Sequence, residues 1–300
     1  LEGEMAVRNV IIDTDIGGDV DDALAIAFAL NSPELDVKGI TTVFVDVDRR
    51  TQLALELLEI FERTDIPVAK GNERPLMGIW DPSLTAYQAS VVNSPKPLDC
   101  KIHAIDLIID LVMGEKDITL VALGPLTNIA LAIIKEPRII ERTSLVMMGG
   151  TITGARPEWN FLCDPEAARI VFESGIPITM VGLNVTERCL LDEKSINKLR
   201  LANTKRTGFL VKLIDLFMDH FNRYPVLHDP LAVASLVWPE LMEFQDKIIK
   251  IETRGEFTRG VSVDCTDIYP VSDRRYNASV CVDVDENEFV KRFLERLLRN

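Results

Sequence analysis

No stretch of about 18 consecutive apolar residues occurs in this chain, so no segment is expected to cross a bilayer as a helix. The opening "LEGEMAVRN" has no apolar core of a secretion signal, and residues 1–4, ahead of Met5, are expected to be an appended remnant. Cysteine is sparse: Cys100, Cys163, Cys189, Cys265 and Cys281 are scattered, odd in number and never spaced C-x-x-C. That pattern offers neither a disulfide framework nor a thiolate zinc site, and it fits small apolar core residues in a reducing cytoplasm. Positive charge is in deficit, with 33 Lys and Arg against 47 Asp and Glu and a formal net charge of −14. A general binder of nucleic-acid backbone needs clustered cations that release counterions, so that class is excluded. Neither a membrane nor a nucleic acid is expected as partner; a small molecule fits better. Internal repeats, low-complexity tracts and linkers are also absent.

The 300 residues, 47% hydrophobic and 27% charged, suffice for one large domain with a substantial core. Short apolar runs alternate with helical patterns: "RNVIIDTD" then "DDALAIAFALNS", "LDVKGITTVFV" then "RRTQLALELLEIFERT", and later "DITLVAL", "LTNIALAII", "TSLVMMGG", "PEAARIVFES" and "PITMVGL". This rhythm predicts a single α/β domain over residues 5–300: an open, mostly parallel sheet flanked by helices, a Rossmann-like core. Extra C-terminal helices are expected near residues 206–223 and 229–237, with short strands such as "KIIKIET" and a closing helix in "DENEFVKRFLERLLRN". Residues 71–100, rich in Pro, Ser and Asn, read as a long surface excursion of the kind that forms lids. Polar motifs sit where strands end: "DTDIGGDVDD", "VDVD", "ALGPLTN" and "MMGGTITG". Ligands of open parallel sheets bind at those carboxyl ends.

The first motif crowds Asp13, Asp15, Asp19, Asp21 and Asp22 together. Two carboxylates about 4 Å apart repel by roughly 4 kcal/mol at an effective dielectric near 20. Asp21 and Asp22 fall in the first turn of a helix, whose dipole returns only about 0.3 to 1 kcal/mol each. A hard cation is the natural compensation, Ca²⁺ or Mg²⁺, although the spacing is not that of an EF-hand. Far along the chain, "LHDPLAVA" opens a helix with Pro230 at its first position and Asp229 before it, which is good capping chemistry. Capping does not explain His228, which can titrate near neutrality and act as an acid. The other two histidines, His103 and His220, are expected to be structural or solvated.

Taken in order, "DTDIGGDVDDA", "ITTV", "ALGPLTNIALA", "VMMGG", "EWNFLCDPEAA", "VGLNVT" and "HDPLAVA" resemble the nucleoside hydrolases, the inosine-uridine preferring N-ribohydrolases, over nearly the whole chain. The resemblance implies a bound Ca²⁺ held by Asp15, Asp22, Asp229 and the main-chain carbonyl of Leu123. It makes Asp15 the base that takes a proton from the attacking water and His228 the group that helps the nucleobase depart. Asp21, Glu158 and Asn160 would hold the ribose. The implied reaction is Ca²⁺-dependent hydrolysis of ribonucleosides to nucleobase and ribose, by a cytoplasmic homodimer or homotetramer.

Several departures from the family pattern accompany these matches. Two residues are inserted in "IGGDV", so Asp19 competes with Asp21 and Asp22 for their roles. Where many members have Gly-Asn after "ITTV", this chain has Val45 and Asp46, and Asp46 is expected to accept a sugar hydroxyl. "TITGARP" lacks a family Asn that contacts the sugar, and residues 71–100 contain no histidine to match a family His-Gly motif. Phe44, Trp80, Tyr87 and Trp159 are the candidates to stack on a base. Two other readings stand beside hydrolysis: a non-catalytic ribonucleoside binder that keeps the metal, and a Mg²⁺ phosphatase with Asp13 as nucleophile.

Overall fold

In the computed structural model, which describes residues 7–95, 102–115, 117–268 and 275–299, the domain is organised around its first strand. β1 (Arg8–Thr14) is buried from Val10 onward and pairs in parallel with β2 (Leu35–Thr42) on one side and β4 (Ile118–Ala122) on the other. β3 (Val68–Lys70) extends the sheet beyond β2, while β5 (Thr143–Met148) and β6 (Ile178–Val181) extend it beyond β4, all parallel. The far edge is made by β7 (Met242–Lys247), with β8 (Ile249–Ile251) and β9 (Ser262–Asp264) forming a separate antiparallel pair. β10 (Ala278–Val284) lies parallel to β6 and antiparallel to β7, so the strand order is β3-β2-β1-β4-β5-β6-β10-β7. The expected mostly parallel, Rossmann-like sheet is therefore present.

Alternation along β1 divides the core into two layers. Val10 and Ile12 enter one hydrophobic cluster with the helix Asp21–Leu30, while Ile11 enters another with Leu120, Leu145 and Met147. Every residue of β4 is buried, as a strand covered on both faces requires. The helix Asp21–Leu30 is buried from Asp21 through Ala29, which its small "ALAIA" run permits. It packs against the helix His228–Val237 and also against the closing helix Glu286–Leu297. There Phe28 meets Trp238 and Phe293 at ring-centroid distances of 5.0 and 5.6 Å.

Two elements were not legible in the sequence. The helix Glu193–Ala202 precedes the long helix Lys205–Phe221, and β10 inserts between β6 and the edge. Only one side of "ASVCVDV" carries a regular apolar series, and both of its neighbours lie far away in the chain. No helix among the described residues is long and apolar enough to cross a membrane.

The strand order reverses between β1 and β4. From β1 the chain moves outward to β2 and β3, then returns to β4 and moves the other way. The crevice above that switch point is where such sheets receive ligands.

Candidate active site

β1 delivers two aspartates to the switch point, and they part company there. Asp13 stays within the sheet layer, its Oδ1 accepting from Thr41 Oγ1 at 2.5 Å and Asn128 Nδ2 at 2.7 Å. Its Oδ2 is buried without a hydrogen-bond partner among the described residues. Burial pushes the Asp13 carboxyl up to about 7 despite those two bonds. Asp15 instead lines a cleft of about 700 Å³. The chain leaves it through Gly17 at φ +106°, where an added Cβ would lie 2.9 Å from Ala86 Cβ. Across the cleft floor, a Cβ on Gly124 would meet Asp15 Oδ1 at 2.9 Å, so the "GPLTN" loop approaches this carboxylate only because it begins with glycine.

Asp21 and Asp22 open one buried helix and Asp229 lies in the first turn of the other. One carboxylate oxygen from each lies within 4.8 Å of the other two. The Asp229 N–H donates to Asp21 Oδ2 at 3.1 Å, so the two helix N-termini meet, and Thr14 Oγ1 donates to Asp22 Oδ1. Burial, then mutual repulsion, raises all three carboxyls well above the ordinary Asp range. Arg50, only 2% exposed, stands behind the group, donating from Nε to Phe44 O at 2.6 Å and from Nη1 to Ile16 O at 3.1 Å. Its charge offsets part of the burial effect on Asp15 and Asp22. One cation does not balance so many carboxylates. The donor set, three converging carboxylates with no sulfur or imidazole among them, in a cleft that Asp15 and Leu123 also line, fits a hard cation such as Ca²⁺.

Glu158 and Asn160 close one side. Glu158 caps the short helix Trp159–Cys163, accepting from the N–H groups of Asn160, Gly150 and Phe161 at 2.8, 3.0 and 3.2 Å. Burial outweighs those bonds and lifts its carboxyl to about 7. Asn160 Nδ2 donates to the carbonyls of Leu123 at 2.9 Å and Met148 at 3.2 Å, fixing the loop that carries Leu123. His228 Nδ1 lies 2.7 Å from Thr186 Oγ1. Burial, with help from the charges of Arg223 and Arg156, lowers its imidazole to about 4, so the ring is neutral at pH 7.

Asp15, Asp21, Asp22, Leu123, Glu158, Asn160, His228 and Asp229 thus line one cleft. The inserted Asp19 does not join the trio. It sits in the preceding turn, accepting from Val20 N–H at 2.6 Å with Arg223 Nη2 3.5 Å away.

Asp46 and Trp80 are not among the residues that line the cleft. The Asp46 carboxylate instead accepts the Ala86 N–H at 3.0 Å. Phe44 and Val45 adopt φ of +68° and +45°, and that turn presents Phe44 to the cleft in place of Asp46. Hydrogen bonds of 2.8 Å from their N–H groups to Asn72 O and Glu73 O hold these uncommon conformations. Trp80 also lies outside the cleft, under the Arg74 guanidinium at 4.0 Å, whereas Tyr87 and Trp159 line it. His220, exposed and stacked on Tyr87 with centroids 4.3 Å apart, is solvated as expected and stands at the cleft wall. His103, as expected, is structural and caps the helix Ala104–Gly114.

Arg50, Arg156, Arg223 and Thr186 were missed. Arg50 did leave a signal, since it shares the spacing of the buried Leu53, Ala54 and Leu57, and a charge on an apolar stripe needs a reason. The cysteines Cys163, Cys189, Cys265 and Cys281 are free and buried, and Cys100 lies outside the described residues.

A Rossmann-type sheet with a carboxylate-walled cleft at its switch point makes this an α/β protein whose candidate active site lies at the carboxyl ends of its strands. This chain belongs to the inosine-uridine preferring nucleoside hydrolase family, whose sequence model matches residues 10–291. It is therefore an enzyme that hydrolyses the N-glycosidic bond of ribonucleosides. A pyrimidine-specific ribonucleoside hydrolase from Photobacterium profundum is 38% identical, covering 97% of this chain and 98% of that protein. Among solved structures, a purine-preferring ribonucleoside hydrolase from Gardnerella vaginalis superposes with a TM-score of 0.87 at 32% identity, covering 97% of this chain and 98% of that one. A plant nucleoside hydrolase gives a TM-score of 0.87 at 30% identity, with 98% of this chain and 99% of that one covered.

Proposed function

We propose that the enzyme uses a bound Ca²⁺ and releases free nucleobase and ribose from ribonucleosides. The observation that carries the cation is the meeting of Asp21, Asp22 and Asp229 within 4.8 Å at two helix N-termini, in the cleft that Asp15 and Leu123 also line. When bound there, Ca²⁺ supplies a positive charge that orients sugar hydroxyls and makes a water more acidic. Asp15 accepts the proton of the water that attacks the anomeric carbon. Glu158 and Asn160, locked by their backbone hydrogen bonds, hold the ribose so that this carbon faces the water. Negative charge on the floor also favours the oxocarbenium-like state through which a glycosidic bond breaks. When Thr186 Oγ1 donates to Nδ1, the neutral His228 carries its proton on Nε2, where it can pass to the departing base.

Incubation with inosine, uridine, cytidine or adenosine tests this reading, with free ribose assayed in Ca²⁺ and again in excess chelator. Release in Ca²⁺ that stops on chelation is expected. Ribonucleoside binding in a calorimeter without any ribose release would replace it with the non-catalytic reading. By the same reading the enzyme is a cytoplasmic homodimer or homotetramer, which four buried, reduced thiols support as to compartment and sedimentation tests as to assembly.

A further inference from the structure

Part of the cleft wall carries charge opposite to its floor. Arg223 follows the helix Lys205–Phe221, whose last carbonyls are left behind as Asn222 turns the chain at φ +51°. Its Nη2 lies 3.5 Å from Asp19 Oδ2, and its guanidinium carbon stands 5.4 and 5.5 Å from the ring centroids of Phe217 and Phe221. Arg156, paired with Glu187, lines the same cleft, and the charges of both arginines reach His228. Between them the wall is aromatic: Tyr87 stacks on His220 with rings 14° apart, and Phe221 meets Tyr87 edge-on at 6.2 Å.

Stability is a poor account of these ion pairs. The side chains of Arg223 and Asp19 are 54% and 31% exposed, and pairs so placed contribute little. Recognition is a better one. A guanidinium is a planar fork of N–H donors with no acceptor, matched to carbonyl oxygens and to developing negative charge. As water bonds to the anomeric carbon, the electron pair of the broken glycosidic bond passes onto the base and spreads to its carbonyl oxygens. The water's proton goes to Asp15, and charge builds on the base's oxygens until the base takes the proton of His228 Nε2. Adenine has no carbonyl oxygen, and its exocyclic amino group would find no acceptor on a guanidinium.

We propose that Arg223, positioned by Asp19 and seconded by Arg156, donates to a carbonyl oxygen of the nucleobase and makes the enzyme selective for ribosides of oxo bases, such as uracil and hypoxanthine, over adenosine. This rests on the ribonucleoside-hydrolysis reading above. Arg223 is a specificity-determining residue; Asp19 acts through it.

The experiment compares kcat/KM for uridine, inosine, adenosine and p-nitrophenyl riboside, an activated riboside without a nucleobase. Wild type should favour uridine or inosine over adenosine. Arg223→Gln should lower kcat/KM for the oxo-base substrates by about 10- to 100-fold, the loss expected for a hydrogen bond from a charged donor, and collapse their ratio to adenosine. Arg223→Lys should restore part of that ratio. Asp19→Asn should shift it in the same direction but less, a change that general loosening of the fold would not produce. A wild-type preference for adenosine, or equal losses on all four substrates, overturns the proposal. Failure of the wild type to cleave even p-nitrophenyl riboside overturns the hydrolysis reading itself, which keeps the two failures distinct.

Discussion

The sheet has a depression at each of its two ends. One, of about 700 Å³, lies over the carboxyl ends of β1 and β4; the other, of about 780 Å³, is lined by Arg8, Glu34, Thr119, Ser144 and Pro239 where the strands begin. Among the described residues, the larger one has no group of converging buried carboxylates. The helix His228–Val237 reaches both: it offers His228 and Asp229 to the first cleft, and Leu236 and Val237 at its other end to the second. Chain direction makes the difference. At the first end, helix N-termini present free N–H groups and the positive ends of their dipoles, which lowers the cost of gathering carboxylates. At the second, helices end in carbonyls that disfavour them. Convergent buried charge, and not volume, identifies the functional end.

Substitutions at the first end should break this contrast most. Asp15→Asn is expected to reduce kcat by roughly 10²- to 10⁴-fold, the range for losing a positioned base, as measured by ribose release. Asp229→Ala removes one of the three converging carboxylates, so calorimetry should find Ca²⁺ binding weakened more than in Asp15→Asn. Equal turnover in wild type and Asp15→Asn would show that the base lies elsewhere.

Acid titration offers a second way to sharpen the contrast. Burial raises Asp13 from 3.8 and Glu158 from 4.5, each to about 7, and Asp21, Asp22 and Asp229 move the same way. Between about pH 4 and pH 7 the folded protein therefore binds more protons than the unfolded chain, and its stability falls as pH rises through that window. His228, lowered from 6.5 to about 4, opposes this, since its folded form resists protonation, but it is one group against five. In excess chelator, Tm should decline from about pH 5 to about pH 8. Added Ca²⁺ should raise Tm more at the upper end, where protons no longer compete for the carboxylates. A Tm that climbs steadily with pH in chelator would contradict the burial of these acids.

The smallest effect belongs to the second depression. Ser144→Ala removes a hydroxyl 3.4 Å from Thr119 Oγ1 and should leave kcat/KM for the best substrate within about two-fold, because nothing links that hydroxyl to the chemistry. A larger change would give the second depression a function.

Much of the fold was legible because its signals are local. Strands such as "DITLVAL" and helices such as "PEAARIVFES" announce themselves by period and length, and both occur as Ile118–Ala122 and Pro165–Glu173. β10 was not, since it pairs across long stretches of chain and its apolar series is one-sided. The site divides in the same way. Motif order brought Asp15, Asp22, Glu158, Asn160, His228 and Asp229 into consideration together. The place of Asp46 beside Ala86 was not legible, because a left-handed turn at Phe44 and Val45 is invisible in side-chain pattern. Arg156 and Arg223 went unnoticed because arginines at helix ends and in loops are ordinary surface residues until folding sets them on one wall.

By itself, then, the sequence determined the layer architecture, the family and the roster of acids, since hydrophobic period and contiguous motifs need only neighbouring residues to be read. Which acids converge, which one stands apart with Arg223, and what lines the cleft wall were decided by tertiary structure alone. The residues in question lie some 200 positions apart, as Asp19 and Arg223 do, and only the packing of two buried helices beside β1 fixes the distances between them.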